Sequence, residues 1–435
     1  MTSANVLPPK ATFRSAVGSL FDPIDFFTAN MLKHDAIFRS GLFKFSAYVL
    51  HDIDLIKHVL QDNNRNYVKN DKYSFLILLG NGLFTSDGEP WLKQRRMIQP
   101  LFHQKSIVHS MEIMISEALK FVHTIREEVD ITDEMGKLTL NIVGKSLIGA
   151  EDTEQTIGVI REELIKCQRT GSVLLKLPLS RYPEWLTNTV FLRKFKRSMD
   201  TLDSIVTNII ERHKTDTERI NMLALLLSAG MTDNKQIKDE VMTLLLVGHE
   251  TTMLALTWTF YLLSQHENIK QKLYEEINAG IGRPENITYE GLKKLTFLDC
   301  VVNESMRLYP PAYVFGRKSV DEDWLGEYYV PKNTDIVINV WGLHRNPKYW
   351  AEADTFDPSR FEGVDASKMP FIPFGIGPRM CIGAAFAFLE IKVILTAFLL
   401  AYDFSVVNTT VYPHPLITLT SNQNIRLRLF KRNNL

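Results

Sequence analysis

Apolar positions along the chain recur at two different spacings. From 38–49 they alternate with polar positions and are rich in aromatic residues, which predicts short strands, and 52–61 then predicts a short helix. Glycine punctuates 80–88, the mark of a loop. A helical stretch opens at Trp91 and runs towards His109, and 111–126 keeps apolar residues at helical spacing. Helical periodicity dominates up to Leu308, with breaks at Pro178, Pro183 and Gly282-Arg283-Pro284. Within it, Thr232-Asp233 is an N-cap for a helix over about 234–266, long enough to cross a whole domain. After Pro310-Pro311 the strand pattern returns at Tyr328–Val330 and 335–338, and Ala384–Ala401 reads as a final apolar helix before a short β-rich end. No repeat, low-complexity tract or flexible linker interrupts the pattern. The predicted fold is mainly α with a smaller β region, one domain over 21–435 behind a loosely tied tail, 1–20.

Composition narrows the function classes. The 435 residues are 45% hydrophobic and 23% charged, as a large apolar core requires. Lys plus Arg and Asp plus Glu both number 50, so no global field draws the chain to nucleic acid. The three cysteines, Cys167, Cys300 and Cys381, are odd in number and far apart, which argues against a disulfide scaffold and for a reducing, cytoplasmic setting. The start, residues 1–10, lacks the basic-then-apolar order of a secretory signal. No uninterrupted apolar run reaches the roughly 18–20 residues of a membrane span. The nearest, 241–263, is broken by Gly248-His249-Glu250 and reads as a buried core helix, so no membrane anchor is expected.

The segment Phe374-Gly375-Ile376-Gly377-Pro378-Arg379-Met380-Cys381-Ile382-Gly383 carries the chemistry. It sets a cysteine at the end of a glycine-rich loop, directly before an apolar helix, whose dipole and free N–H groups favour thiolate over thiol. Gly377 and Gly383 would let the backbone turn tightly and approach a flat cofactor. Arg379 supplies a fixed cation for a carboxylate. An isolated cysteine is more often a small buried hydrophobe, the reading retained for Cys167 and Cys300. The segment, however, resembles the cysteine-loop signature of the cytochrome P450 family at Phe374, Gly377, Arg379, Cys381 and Gly383, and Phe386-Ala387 and Glu390 continue the match. The resemblance implies a P450 fold around haem b (iron protoporphyrin IX), with Cys381 as the proximal thiolate that promotes O–O cleavage.

Further segments match in the family's order, from about Phe38 to the C-terminus. Glu304 and Arg307 lie three apart on one helix face, and with Arg360 in Phe356-Asp357-Pro358-Ser359-Arg360-Phe361 they resemble the family's structural charge triad. Leu343-His344-Arg345-Asn346-Pro347 resembles the segment that precedes the cysteine loop. Trp91 and Arg95, four apart on one face, are implied to hold a haem propionate, with Arg317 and Arg379 as further cationic partners. In Val247-Gly248-His249-Glu250-Thr251-Thr252, His249-Glu250 invites a zinc-protease reading, but the second histidine that motif needs is Met253. The resemblance instead makes Glu250 and Thr251 the acid–alcohol pair that organises water and delivers protons on the distal side. Gly248 leaves room for the haem, and Val247, where the family usually has alanine or glycine, narrows the space. By position alone, Phe84, Val247, Ala312, Tyr313, Val314 and Ile417, with Leu416, are the expected pocket residues, an apolar set that identifies no substrate.

The implied reaction inserts one oxygen atom from O2 into a small organic molecule, by C–H hydroxylation, epoxidation or oxidative O- or N-demethylation. Gly80/Gly82, Gly280/Gly282 and Gly375/Gly377 each lack the third glycine of a dinucleotide fingerprint, so electrons are expected from a partner, ferredoxin or flavodoxin with an NAD(P)H reductase. Lys93, Arg96 and Lys392 are the expected docking patch, against the plain alternative of a solvated surface. A peroxide-driven peroxygenase or isomerase is the competing enzyme reading, and a haem-binding sensor or electron carrier the competing binding protein. Peroxide-driven relatives commonly lose the acid–alcohol pair, and a sensor or carrier would not need it, so its retention as Glu250-Thr251 argues for the monooxygenase reading.

Overall fold

Aspartates set where many of the helices begin. Asp22, Asp52, Asp87, Asp130 and Asp233 each stand directly before a helix and accept a hydrogen bond from a backbone N–H of its first turn. The computed structural model describes residues 6–12, 18, 22–41, 46–69, 80–149, 154–176, 190–215, 221–228, 231, 233–407 and 410–432. The long helix runs Asn234–Gln265 behind Asp233, and the last one Ala384–Ala401, both as expected. Thr232, Pro178 and Pro183 lie outside the described residues. The helix expected from Trp91 begins earlier, at Gly88, and ends at Ile98. Pro100 has no N–H to continue it, so a 3-10 turn covers Gln99–Phe102 and a separate helix, Gln104–Thr124, follows.

Contacts gather the chain into two units. The first comprises Met1–Asp71, Asn303–Cys381 and Pro413–Thr420. Its five-stranded sheet runs in the order Ile37–Ser40, Ala47–Leu50, Asp335–Asn339, Val314–Ser319, Tyr67–Val68. The first pair is antiparallel, with Ile37 opposite Leu50, and Ala47–Leu50 runs parallel to Asp335–Asn339. Successive side chains point to opposite faces. Ile37, Leu50, Ile336 and Ile338 therefore join one core with Ile56 and Val330, while Phe38 and Val49 join another with Phe26, Phe27 and Trp341.

At the heart of this unit lies a buried charge network. Glu304 and Arg307 are both 0% exposed. Arg307 Nε donates to Glu304 Oε2 at 2.6 Å and Nη2 to Oε1 at 2.8 Å. Nη1 donates to the carbonyls of His344 and Ala353 at 2.8 and 2.6 Å, and Nη2 to that of Thr355 at 3.1 Å. All five guanidinium N–H groups are thus used. Glu304 Oε1 also accepts from Arg360 Nε at 3.3 Å and from the Asp357 N–H at 2.9 Å.

The second unit comprises Lys72–Val302, Ile382–Tyr412 and Ser421–Leu435. The long helix packs on Ile131–Val143, and the last helix on Gln104–Thr124. Phe260, Phe398 and Phe404 meet at ring separations of 4.7 to 5.6 Å, and Phe121 stacks on Phe398 at 6.1 Å. A three-stranded sheet in the order Glu128–Asp130, Arg426–Lys431, Tyr402–Val406 completes the unit. The long helix and the last helix are long and apolar enough to cross a membrane, yet 67% and 78% of their apolar windows are buried within the protein, as in core helices.

Glu304→Ala leaves the Arg307 charge buried and uncompensated. Urea unfolding of the holoprotein should show a loss of about 3–5 kcal/mol. A loss of about 1 kcal/mol or less, the range of a surface pair, would remove the network from its central position.

Candidate active site

Backbone hydrogen bonds coil the segment before Cys381. The Gly375 N–H donates to the Ile372 carbonyl at 3.0 Å, Met380 to Gly377 at 3.0 Å, and Cys381 to Phe374 at 2.9 Å. Gly377 has φ +77°, and a Cβ there would fall 1.9 Å from the Leu60 carbonyl oxygen. No other residue fits. Gly383 is different: its φ of −90° suits any residue, and a Cβ would make ordinary contact with Phe102 at 3.5 Å. The chain does turn at Ile382-Gly383 before the helix begins, but neither the Gly383 backbone nor its protein neighbours require glycine for it. The Ile372 N–H donates to His344 Nε2 at 2.9 Å, which ties the start of the loop to the charge network.

Of the three cysteines, Cys167 and Cys300 are buried and Cys381 is exposed. Burial pushes the Cys167 thiol up to about 12, an inert form. An exposed cysteine at the end of a hydrogen-bonded loop, three residues before a helix, is placed to ligate.

The middle of the long helix departs from its buried character. Leu244, Val247, Gly248 and Thr251, spaced for one face, are partly exposed between fully buried positions. Thr251 Oγ1 donates to the Val247 carbonyl at 3.0 Å, and Thr252 Oγ1 to that of Gly248 at 3.3 Å. A hydroxyl so engaged keeps its lone pairs for a hydrogen bond from water. Glu250 is partly exposed beside it. His249 points elsewhere: it is buried, its Nδ1 bonds the Leu245 carbonyl, and burial pulls its pKa down to about 4, with the Arg161 charge adding to the shift.

The remaining expected residues scatter in character. Trp91 and Arg95 are half-buried on the helix Gly88–Ile98. Arg379 is half-buried, and Arg317, also half-buried, donates to the Gly316 carbonyl at 2.8 Å. Phe84 is 41% exposed, so its truncation costs less stability than that of a core phenylalanine. Ala312 is exposed, and Val314 and Ile417 are half-buried. Tyr313 belongs to the core of the first unit, its hydroxyl donating to the Leu416 carbonyl at 2.9 Å. Lys392 is a correction. It is buried and ion-paired to Asp299, which withdraws it from any docking patch, whereas Lys93 and Arg96 are exposed.

Two buried acids passed without a role in the sequence, although acids in apolar helices are themselves a signal. Burial drives the Glu390 carboxyl well above the usual range, with the Thr252 hydroxyl opposing the shift. Glu240, near the start of the long helix, is likewise buried and pushed up to about 7.

The Cytochrome P450 family model matches residues 15–427. The chain is 32% identical over 406 residues to Protein LUTEIN DEFICIENT 5, chloroplastic, of Arabidopsis thaliana, covering 86% of this chain and 68% of that protein. It is 31% identical over 403 residues to a cytokinin hydroxylase of the same plant, covering 85% and 76%. To cyclooctatin synthase of Streptomyces melanosporofaciens it is 30% identical over 367 residues, covering 79% and 77%.

The buried histidines make the fold sensitive to acid. His249 in the fold has a pKa of about 4 against an ordinary 6.5, so the unfolded chain takes up the proton first. Its contribution is complete above pH 6.5 and is lost as the pH falls from 6.5 towards 4. Burial shifts His51 and His344 in the same direction. His249→Asn should flatten the acid limb of the urea unfolding free energy by up to about 1.4 kcal/mol per pH unit. An unchanged slope would mean that His249 is already charged in the folded protein.

Proposed function

The chain belongs to the cytochrome P450 family, and from that premise we propose that it hydroxylates C–H bonds of a small, largely apolar organic molecule. It is a monooxygenase, and the family's cofactor is haem b. When bound, the haem supplies the chemistry of dioxygen activation with externally delivered electrons. The observation that carries the assignment of its ligand is Cys381, the exposed cysteine among three, at the end of a loop that only glycine at 377 allows.

In this reading Cys381 would give the iron its thiolate. Trp91, Arg95, Arg317 and Arg379 would hold the propionates, and their half-buried state suits carboxylates at the edge of a cofactor. Phe374 would pack beside the cysteine. Gly248 and Gly383 would give the flat group room, since the turn at Gly383 has a backbone that any residue could adopt. The open stripe of the long helix, apolar at Leu244 and Val247 and alcoholic at Thr251, fits a haem-facing surface. Thr251 would accept a hydrogen bond from water while donating to the Val247 carbonyl, and Glu250 would exchange protons with solvent.

Phe84, Val247, Val314 and Ile417 would line the substrate side, while Tyr313 would brace it through the Leu416 carbonyl. Hydroxylation is favoured over epoxidation or demethylation because a relative carries that name. Electrons would arrive on a ferredoxin or flavodoxin fed by an NAD(P)H reductase in a reducing, cytoplasmic setting, with the exposed Lys93 and Arg96 as basic docking residues.

Ligation is tested by spectroscopy. The reduced carbon monoxide complex should show the red-shifted Soret band of thiolate ligation, and Cys381→His should replace it with an imidazole-type spectrum. An unchanged spectrum in that variant removes the assignment; Cys167→Ala and Cys300→Ala should leave the band in place. Proton handling is tested by coupling. Thr251→Ala should still bind haem and consume electrons, but product formed per reductant should fall by about tenfold or more, with hydrogen peroxide released instead. Full coupling with a verified substrate would exclude Thr251 from the proton route.

A further inference from the structure

The first turns of the long helix hold a loop. The Leu83 N–H donates to Glu240 Oε2 at 2.9 Å, and the Asn81 N–H to Asp239 Oδ2 at 2.9 Å. Gln236 Nε2 reaches both Glu240 Oε1 at 2.9 Å and the Asn81 carbonyl at 3.1 Å. From the helix Gly88–Ile98, Gln94 Nε2 donates to the same carbonyl at 2.7 Å, and its Oε1 accepts from the Ser86 hydroxyl. The Thr85 hydroxyl closes the loop on the carbonyls of Gly80 and Gly82, at 2.7 and 3.0 Å.

The backbone lies directly on the helix. A Cβ on Gly80 would fall 2.2 Å from Asp239 Oδ1, and one on Gly82 would fall 2.2 Å from Thr243 Oγ1 and 2.6 Å from the Asp239 carbonyl oxygen. Only glycine permits that approach. Glu240 is fully buried, where an acid is costly and an apolar residue of similar size would not be. Its two oxygens are committed to Leu83 and Gln236, so what the charge-bearing group provides is a fixed amide next to Phe84.

We propose that Glu240, assisted by Asp239, is a positioning residue that fixes the 80–86 loop and thereby sets which substrates the enzyme admits. This rests on the reading of Phe84 as a pocket residue. Glu240 touches no substrate; it acts through the Leu83 amide on the ring that follows it in the chain. A purely structural acid would instead affect stability alone.

The test uses haem-loaded wild type, Glu240→Leu and Glu240→Gln. Amide hydrogen exchange of 80–86 reads the latch, and spectral titration with imidazole and with a phenyl-substituted imidazole reads selectivity. Losing one hydrogen bond to a carboxyl acceptor should speed exchange at Leu83 about tenfold in Glu240→Leu. The ratio of the two dissociation constants should shift by about fivefold or more, roughly 1 kcal/mol of discrimination. Glu240→Gln, which keeps an acceptor for Leu83, should restore both to within about twofold of wild type. Faster exchange with an unchanged ratio overturns the proposal, as does unchanged exchange in Glu240→Leu. Should that variant fail to retain haem, Gly82→Ala, which drives a Cβ into Thr243, probes the same coupling and must shift the same ratio. Failure of the haem–thiolate reading shows separately, as a wild-type carbonyl complex without the red-shifted band, and leaves the exchange result standing.

Discussion

Arg307 is a charge with nowhere to go but into hydrogen bonds. A guanidinium taken out of water costs several kcal/mol unless every donor is satisfied, and this one recruits a carboxylate and three backbone carbonyls to do so. Those carbonyls belong to His344, Ala353 and Thr355, and a chain that must place them around one side chain has few conformations left. His344 extends the constraint, because its Nε2 accepts the Ile372 N–H. From Ile372 the coil of backbone bonds leads through Gly375 to Cys381. The backbone of Cys381 is thereby tied to the network through the loop. A neutral His344 is part of the device, since a proton on Nε2 would remove the acceptor, and the charges of Arg307 and Arg345 reinforce burial in keeping that proton off.

The same economy governs the buried acids of the second unit. Glu240 is buried at the polar start of the long helix and Glu390 in the apolar last helix, and each carries a carboxyl raised by burial. Glu240 repays desolvation through bonds to a neighbouring loop, whereas Glu390 has chiefly the Thr252 hydroxyl beside it.

Much of this was legible in the residues alone. The long helix showed its cap and length, the last helix its apolar run, and the cysteine loop its glycines, because each signal is local to the element that bears it. The Glu304–Arg307 spacing revealed a shared face, and the third member, Arg360, came only with the family resemblance. Partners distant in sequence were the blind spot. Lys392 reads as a surface cation until Asp299 is seen beside it. Gly80 and Gly82 read as loop punctuation until Asp239 and Thr243 are seen beneath them. Pro100 was visible and should have divided the helical run at that point, because a missing N–H outweighs apolar spacing on either side. Gly383 does lie in a turn, as its glycine suggests, but one whose backbone any residue can adopt.

The long helix performs separate tasks along its length. Its first turns hold the 80–86 loop through Asp239 and Glu240, its middle presents Val247, Gly248 and Thr251, and its later turns enter the aromatic core with Phe260. Glu240 and Thr251 are eleven residues apart, about 16 Å along the axis. At that separation, with no shared partner, their effects should add rather than couple. On the proposed roles, a change at Glu240 would alter which molecules enter without altering how protons are passed, and a change at Thr251 would do the reverse. The packing of the long helix on Ile131–Val143 favours that separation, because it ties the helix to a neighbour apart from the 80–86 loop.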